Sequence, residues 1–489
     1  TGKLTGFDYD PLGQLTRLTD DGQELAAYTY NPDGTPRAVA HGPIRQEYAY
    51  DLDKNLTGLT VRSGEALLSH ASYAYDGNGN RIRKQALDGT TLYQYDALNQ
   101  LQRVDYPAYS EELFYDRAGN RARRLVGGEE ELYQYDPRNR LMALTRGGVT
   151  APFQYDNAGN LLQDDKARYS YDAFNRTVKV ETFDGNVQVN RYDAEGLRHE
   201  MEENGRLVRF IFHKGEAVAE QEENSNVIRL IRGSELIARS SDSESARTYY
   251  HYASDEMGST THIVDESGNV QNRYAYDAWG KIEVKEEAVP NRFTYYGQQI
   301  DPITQQYYLR TRFYNPVIGR FTQEDTYRGD GLNLYAYCAN NPVYYIDPSG
   351  YYKDGVERAQ FQFSEWEPGD SITRPMPDGS YPSWDTIRHR YWRARAQLAT
   401  DGEFSPQNMG LMRAGYAPKA SVLVRDRDTG KYSIKVVTLE IHHNRGGRGT
   451  QGFDEPIDLR EVWPWEHEQL DPSRHPGYDF ISFYSVHSK

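Results

Sequence analysis

Two histidines stand side by side at His442 and His443, in the run TLEIHHN at 438–444. A second run rich in acids and imidazoles, LREVWPWEHEQLDPSRH, follows at 459–475. Successive residues on a strand point to opposite sides, so one imidazole of such a pair can hold a metal ion while the other faces a water. Histidine suits both tasks because its ordinary pKa lies near neutrality. Pro464 is a favourable first helical residue, and on such a helix His467 and Asp471, four apart, share one face. His475 is the alternative to Asp471. Between the runs lies NRGGRGTQG (444–452), with Asn444, Arg445 and Arg448. It can bring backbone and guanidinium groups to a phosphate, or serve only as a flexible link. A second constellation is carboxylic: Asp325 in GRFTQED and Asp347 in DPSG. Two carboxylates held together share a proton and activate a water. Read singly, Asp325 caps a turn and Asp347 starts an Asp-Pro turn.

The elements that must position these groups come from the rest of the chain. At 489 residues it is too long for one ordinary core, and two or three domains are expected. A formal charge of −16 argues against overall attraction to nucleic acid and leaves room for a local basic patch. Cys338 is the sole cysteine, which excludes an internal disulfide and a cysteine-based zinc site. No apolar run reaches the roughly 18 residues of a membrane span. Tyrosine is abundant, 41 residues against 16 Phe, and with Gly and Asp/Asn it points to many strands joined by tight turns.

The first half repeats. Tyr-Asp or Tyr-Asn pairs begin at Tyr9, Tyr30, Tyr50, Tyr75, Tyr95, Tyr115, Tyr135, Tyr155, Tyr171 and Tyr192. Spacing of about 20 residues marks an array. Each unit, such as YAYDGNGNRIRK at 73–84, is an aromatic alternation, a turn and a second alternating run, and it predicts a β-hairpin stacked on the next. After residue 350 the repeats stop and tryptophan becomes common. The last 139 residues carry 18 Lys/Arg against 20 Asp/Glu, so most of the acidity lies earlier. WDTIRHRYWRARAQLA (384–399) reads as an amphipathic helix whose Arg388, His389, Arg390, Arg393 and Arg395 hold phosphates or simply solvate an exposed face. SVLVRDRDTGKYSIKVVTLEIHH reads as a hairpin turning at 428–430.

Ten such pairs in register resemble the YD repeats of the Rhs polymorphic toxins, which are related to wall-associated proteins, the C components of insecticidal Tc toxins and animal teneurins. The runs at 251–281, 295–325 and 331–350 resemble the Rhs-associated core. The resemblance implies a mainly β fold: a spiral YD-repeat sheet forming a shell (1–248), a core that plugs it (249–351), and a C-terminal toxin domain (352–489). It also implies that further N-terminal sequence of a parent protein precedes this segment. By the same resemblance Asp325 and Asp347 form an aspartyl protease that cuts its own chain near the Tyr351–Tyr352 bond, with Arg320 in support. Here Asp325 is followed by Thr326, where the family usually has proline. The C-terminal run resembles HNH-type nucleases, a small α+β ββα-metal fold. That likeness implies His442, His467 and Asp471 (or His475) as ligands of a divalent metal (Mg, Zn, Ni or Mn) and His443 as general base. Asn444, Arg445 and Arg448 are the substrate-binding candidates. Together these features imply an exported bacterial toxin whose nuclease acts in a target cell's cytoplasm. DNA is favoured as substrate, and a secretion apparatus and a cognate immunity protein are the expected partners. The alternatives are an RNase on the same scaffold, or an adhesive YD-repeat surface protein with an inactive tail.

Overall fold

The computed structural model describes residues 4–223, 227–242, 247–326, 332–351, 353–355, 384–398, 404–413, 416–443, 459–462, 464 and 478–483. The chain divides into two compact units, Thr1–Gln362 and Phe363–Lys489.

The repeat period becomes a hairpin period through one recurring turn. At Asp76 the carboxylate Oδ1 accepts the backbone N–H groups of Asn78 and Asn80, each at 2.9 Å. The Gly79 N–H returns to the Asp76 carbonyl at 3.1 Å, with Gly79 at φ +82°, where glycine is favoured. The same carboxylate-to-turn bonds recur at Asp96, Asp116, Asp136, Asp172 and Asp193. Neighbouring turns are then tied together. Asn80 Nδ2 donates to Asn99 Oδ1, Asn120 to Asn139, and Asn160 to Asn175, all at 2.9 Å.

The tyrosine has its own task. The Tyr95 hydroxyl donates to the Arg81 carbonyl at 2.7 Å, Tyr115 to Leu101 at 2.8 Å, and Tyr135 to Arg121 at 2.9 Å. Tyr30, Tyr75, Tyr171 and Tyr192 make the equivalent bond. A backbone acceptor left exposed by the turn is thus satisfied by a ring that also packs in the core, which phenylalanine could not do.

Among the described residues these hairpins build two antiparallel sheets, one of 15 strands from Thr5–Tyr9 to Val149–Pro152 and one of 14 strands from Gln154–Tyr155 to Ile282–Glu287, each ordered strictly by sequence. The expected single sheet is therefore interrupted at Pro152–Phe153. Proline has no N–H for the ladder, and buried Phe153 keeps contact across the gap by donating to the Met142 carbonyl at 2.9 Å. The expected boundary between shell and core at 248/249 falls inside strand Arg247–Ser254, which is paired on both sides and so belongs to the second sheet.

Buried charge pairs join the two sheets. Arg229 grips Asp20 at 2.5 and 2.9 Å, with the Tyr249 hydroxyl on the same carboxylate at 2.8 Å. Glu256 receives Arg81 at 2.6 Å, Lys84 at 2.9 Å and the Tyr73 hydroxyl at 2.9 Å. Each charge is paired and further hydrogen-bonded, the condition under which burial of ions is tolerated.

On the same seam His41 meets His251 at 5.7 Å between ring centres. Their cross-strand partners, Ala26 and Ile44 for His41 and Ala238 and Val264 for His251, are all buried and apolar. Burial, and for His41 also the facing His251, pushes the two imidazoles down to about 3 and about 4. A depressed histidine pKa gives stability that is complete above its unfolded value of about 6.5 and is lost as pH falls toward the folded value. The urea midpoint of wild type is expected to fall between pH 7 and pH 4. The double variant His41→Leu, His251→Leu should lose part of that slope. Equal slopes in parallel urea titrations would show that the pair is not the sensor.

After the second sheet the chain forms a small four-stranded sheet: Gln299–Ile300, Tyr307–Tyr308, Phe313–Asn315 and Arg320–Phe321. Tyr295, Tyr307, Tyr314, Phe321 and Tyr337 form its core, with Tyr314 stacked on Tyr337 at 3.7 Å. Buried Arg198 and Asp301 fasten it to the second sheet at 2.7 Å. The first unit runs past Tyr351 because Asp354–Gly355 pairs with Tyr345–Ile346.

In the second unit, helix Trp384–Leu398 packs Ile387, Trp392 and Ala396 against Met412 of helix Pro406–Arg413 and against Leu439. Arg390 is buried in this helix, so it does not belong to a solvated face. Strand Lys419–Asp426 pairs with Tyr432–Thr438 through the predicted turn, where Gly430 has φ +66°, and with Tyr478–Phe483 on its other side.

Candidate active site

Three segments of the small sheet region converge on one guanidinium. Arg312 lies just before strand Phe313–Asn315, Asp325 just after Arg320–Phe321, and Asp347 just after Tyr345–Ile346. Arg312 Nη2 is 2.9 Å from Asp325 Oδ2 and 3.4 Å from Asp347 Oδ2. Its Nη1 donates to the Leu334 carbonyl at 3.1 Å and its Nε to the Gly350 carbonyl. The guanidinium carbon lies over the Phe321 ring, 3.5 Å from its centre. All three charged residues are buried. The fork geometry of arginine lets one side chain meet two carboxylates and two carbonyls at once.

The two oxygens of Asp347 have different surroundings. Oδ1 accepts the Gly350 N–H at 2.7 Å and the Ser349 N–H at 3.2 Å, while Oδ2 faces Arg312. Burial dominates and pushes the Asp347 carboxyl up to about 6; the Arg312 charge and the backbone donors pull it down, and Asp325 adds a smaller upward push. A carboxyl raised to about 6 keeps its proton in a large share of molecules near that pH, and a second carboxyl beside it completes the acid and base that peptide hydrolysis needs.

The expected cut lies alongside. Tyr351 is 40% exposed, and its N–H donates to Ser349 Oγ at 3.3 Å. Its phenol is pushed up by partial burial and then by the Asp325 charge, while the Arg312 charge pulls it down. Tyr352 lies outside the described residues. Gly350 has φ +76°, and a Cβ there would stand 2.6 Å from both the Leu309 carbonyl and Thr311 Oγ1, so the glycine of DPSG allows a close approach no other residue permits. Thr326 in place of proline does not move Asp325 from the pair.

Arg320 departs from expectation. It is buried, donates to the Asn139 carbonyl at 2.5 Å and lies between the Tyr135 and Tyr335 rings. It ties the small sheet to a repeat turn and does not bond the carboxylates; Arg312 occupies that role. The signal for Arg312 was present in the sequence as an arginine enclosed in a Tyr-rich apolar tract, LRTRFYNP, where burial would demand a counter-ion.

Of the histidine constellation, the backbone of one hairpin is described. Glu440–His443 pairs with Leu459–Val462, with His442 opposite Arg460 and His443 opposite Leu459. The two histidines are thus successive residues at a strand end, as their spacing predicts. Pro464 is helical. Asn444, Arg445, Arg448, His467, Asp471 and His475 lie outside the described residues, so the metal and substrate groups expected there have no described geometry. No helix among the described residues is long and apolar enough to cross a membrane.

Comparison with known proteins bears on the first unit most directly. The Teneurin YD-shell family profile matches residues 88–343. The tRNA3(Ser)-specific nuclease WapA of Bacillus spizizenii is 33% identical over 212 residues, which are 40% of this chain and 9% of that protein. The double-stranded DNA deaminase toxin A of Burkholderia cenocepacia is 30% identical over 202 residues, 38% of this chain and 14% of that protein. The chain thus spans less than a sixth of the length of either relative. The crystal structure of TcdB2-TccC3-TEV matches with a TM-score of 0.60 at 19% identity, over 71% of this chain and 20% of that one, a likeness of fold. With the hairpin array, its turn chemistry and a family match over more than half the chain in agreement, the protein belongs to the Teneurin YD-shell family.

Proposed function

We propose that this chain is the self-processing part of a polymorphic toxin. Asp325 and Asp347 cut the chain near Tyr351, and the YD-repeat shell encloses and delivers a C-terminal metal-dependent nuclease. The observation that carries the reading is the meeting of both buried carboxylates on Arg312, beside the Asp347–Tyr351 segment. Water adds to the scissile carbonyl as the ionised carboxylate takes its proton. The protonated carboxyl supplies the proton that the leaving amine carries away, giving a new carboxyl terminus and a new amino terminus. The relatives support toxin delivery: one is named a tRNA nuclease and another a DNA deaminase toxin, although both resemble this chain to a similar degree. Similarity of that kind fits a shared carrier with exchangeable cargo.

For the cargo, the adjacent His442 and His443 at a strand end support a nuclease with His443 as general base. His442, His467 and Asp471 or His475 would hold the divalent ion, which would supply charge neutralisation at the scissile phosphate. DNA is the favoured substrate. RNA is the second reading, favoured by the relatives named as tRNA nucleases. A cognate immunity protein and the delivery apparatus of a longer parent complete the proposal. The C-terminal segment 352–489, freed from the shell, should nick supercoiled DNA in the presence of a divalent ion, and His443→Ala should reduce nicking by at least about a hundredfold. Cleavage of tRNA with intact DNA would select the second reading. Failure on both substrates across Mg, Mn, Ni and Zn would end the nuclease proposal.

A further inference from the structure

We propose that Thr311 is a positioning residue for self-cleavage, holding the segment next to the cut against the carboxylate pair. The inference rests on the self-cleavage reading above. Its basis is how the turn from Asp347 to Gly350 is held from two sides. From within, Asp347 Oδ1 accepts the Ser349 and Gly350 N–H groups. From without, the Thr311 hydroxyl donates to the Ser349 carbonyl at 2.7 Å, and the Thr311 N–H approaches the same oxygen at 3.4 Å. The next carbonyl, that of Gly350, accepts Arg312 Nε. Two successive carbonyls before Tyr351 are therefore held by two successive residues, Thr311 and Arg312.

The bracket that presents these donors is itself anchored. The Thr311 N–H also bonds the Leu309 carbonyl at 2.8 Å, and the Leu309 N–H bonds the Arg312 carbonyl at 3.0 Å, closing a tight turn. Arg310, at φ +67° in that turn, donates to the Gly215 carbonyl at 2.6 Å and pairs with Glu216. The bracket is thus tied to the hairpin turn between Arg206–His213 and Glu216–Glu222 in the second sheet. Gly350 fits against its inner side, 2.6 Å from Thr311 Oγ1 measured from where a Cβ would be. Loss of the hydroxyl leaves a part-buried carbonyl without its side-chain donor and frees the segment from one of its two holds. Misplacement of a reacting group by about 1 Å can cost about a hundredfold in rate, so a single lost hold is expected to be visible. Thr311 itself touches no carboxylate in this arrangement, which is why its role is positional.

The test is a cell-free translation time course of the full chain, following conversion of the intact band into two fragments. Wild type should convert and Asp347→Asn should not. Thr311→Val, which keeps the branched shape and removes the donor, should convert about tenfold more slowly. Thr311→Ser, which keeps the donor, should stay within about threefold of wild type. Thr311→Val at the wild-type rate overturns the inference and leaves self-cleavage standing. Val and Ser variants that are slowed equally also overturn it, because the hydroxyl is then not the active feature. An uncut wild type would instead overturn the self-cleavage reading. Folding is checked in the uncut Asp347→Asn background, where Thr311→Val should leave resistance to trypsin unchanged. A chain digested as readily as denatured protein would assign Thr311 to the fold and overturn a positioning role.

Discussion

Asp347→Asn is expected to run as one band of 56.2 kDa on a denaturing gel, where wild type is expected to give two fragments. Asparagine keeps the shape, and its side-chain oxygen can still accept the Ser349 and Gly350 N–H groups, but it neither takes nor gives a proton at pH 7. On the self-cleavage proposal, the reaction then loses its acid or its base. The same substitution should stabilise the shell. The Asp347 carboxyl is raised from 3.8 to about 6, so its contribution to stability is complete below the unfolded value and is lost as pH rises through about 6. At pH 7.5 the wild-type carboxylate costs on the order of 3 kcal/mol that the neutral side chain does not. Comparing uncut chains with like, the urea midpoint of Asp325→Asn should fall relative to that of Asp325→Asn, Asp347→Asn as pH rises from 4 to 7.5, on top of the constant offset set by the loss of Arg312's last counter-ion in the double variant. An Asp347→Asn chain that still splits would remove the carboxylate pair from the mechanism. In the wild type, the cleavage rate should decline as pH rises above about 6 if Asp347 is the acid, since its protonated fraction then drops about tenfold per pH unit.

The second large effect is expected at Arg312. Arg312→Lys keeps the charge and loses the fork. An ammonium on a flexible stem cannot reach Asp325, Asp347, the Leu334 carbonyl and the Gly350 carbonyl together, as the guanidinium does. Cleavage should fall by about a hundredfold or more. The buried carboxylates lose much of their compensation, and the chain should lose about 2–4 kcal/mol, readable as a lower urea midpoint. Arg320→Lys is the informative control. It weakens a contact to the Asn139 carbonyl and two tyrosine rings, so it should affect stability and leave the cleavage rate within a fewfold of wild type. Wild-type cleavage in Arg312→Lys, or loss of cleavage in Arg320→Lys with an intact fold, would reverse the assignment of the two arginines.

What the sequence by itself determined is local. The Tyr-Asp period marks hairpins because each Asp caps the turn four residues ahead and each Gly or Asn supplies its positive φ. The helix at Trp384–Leu398, the turn at Gly430 and the strand ending in His442 and His443 were legible for the same reason: pattern and turn chemistry act over a few residues. Resemblance picked out Asp325 and Asp347, but neither pattern nor spacing said that they meet. Tertiary structure decided that, and it chose Arg312 over Arg320 as their partner. Both arginines stand next to aromatic strand residues in similar runs, and they differ only in what the folded chain brings opposite them. Asp20 meets Arg229, and Arg81 meets Glu256, by the same kind of long-range closure. Such pairs depend on how many hairpins intervene and how far each sheet twists, quantities that accumulate over hundreds of residues and leave no mark on any one of them. The task of the repeated tyrosine also emerged only in three dimensions. Its hydroxyl answers a carbonyl of the preceding hairpin, and a sequence shows the ring without showing the acceptor.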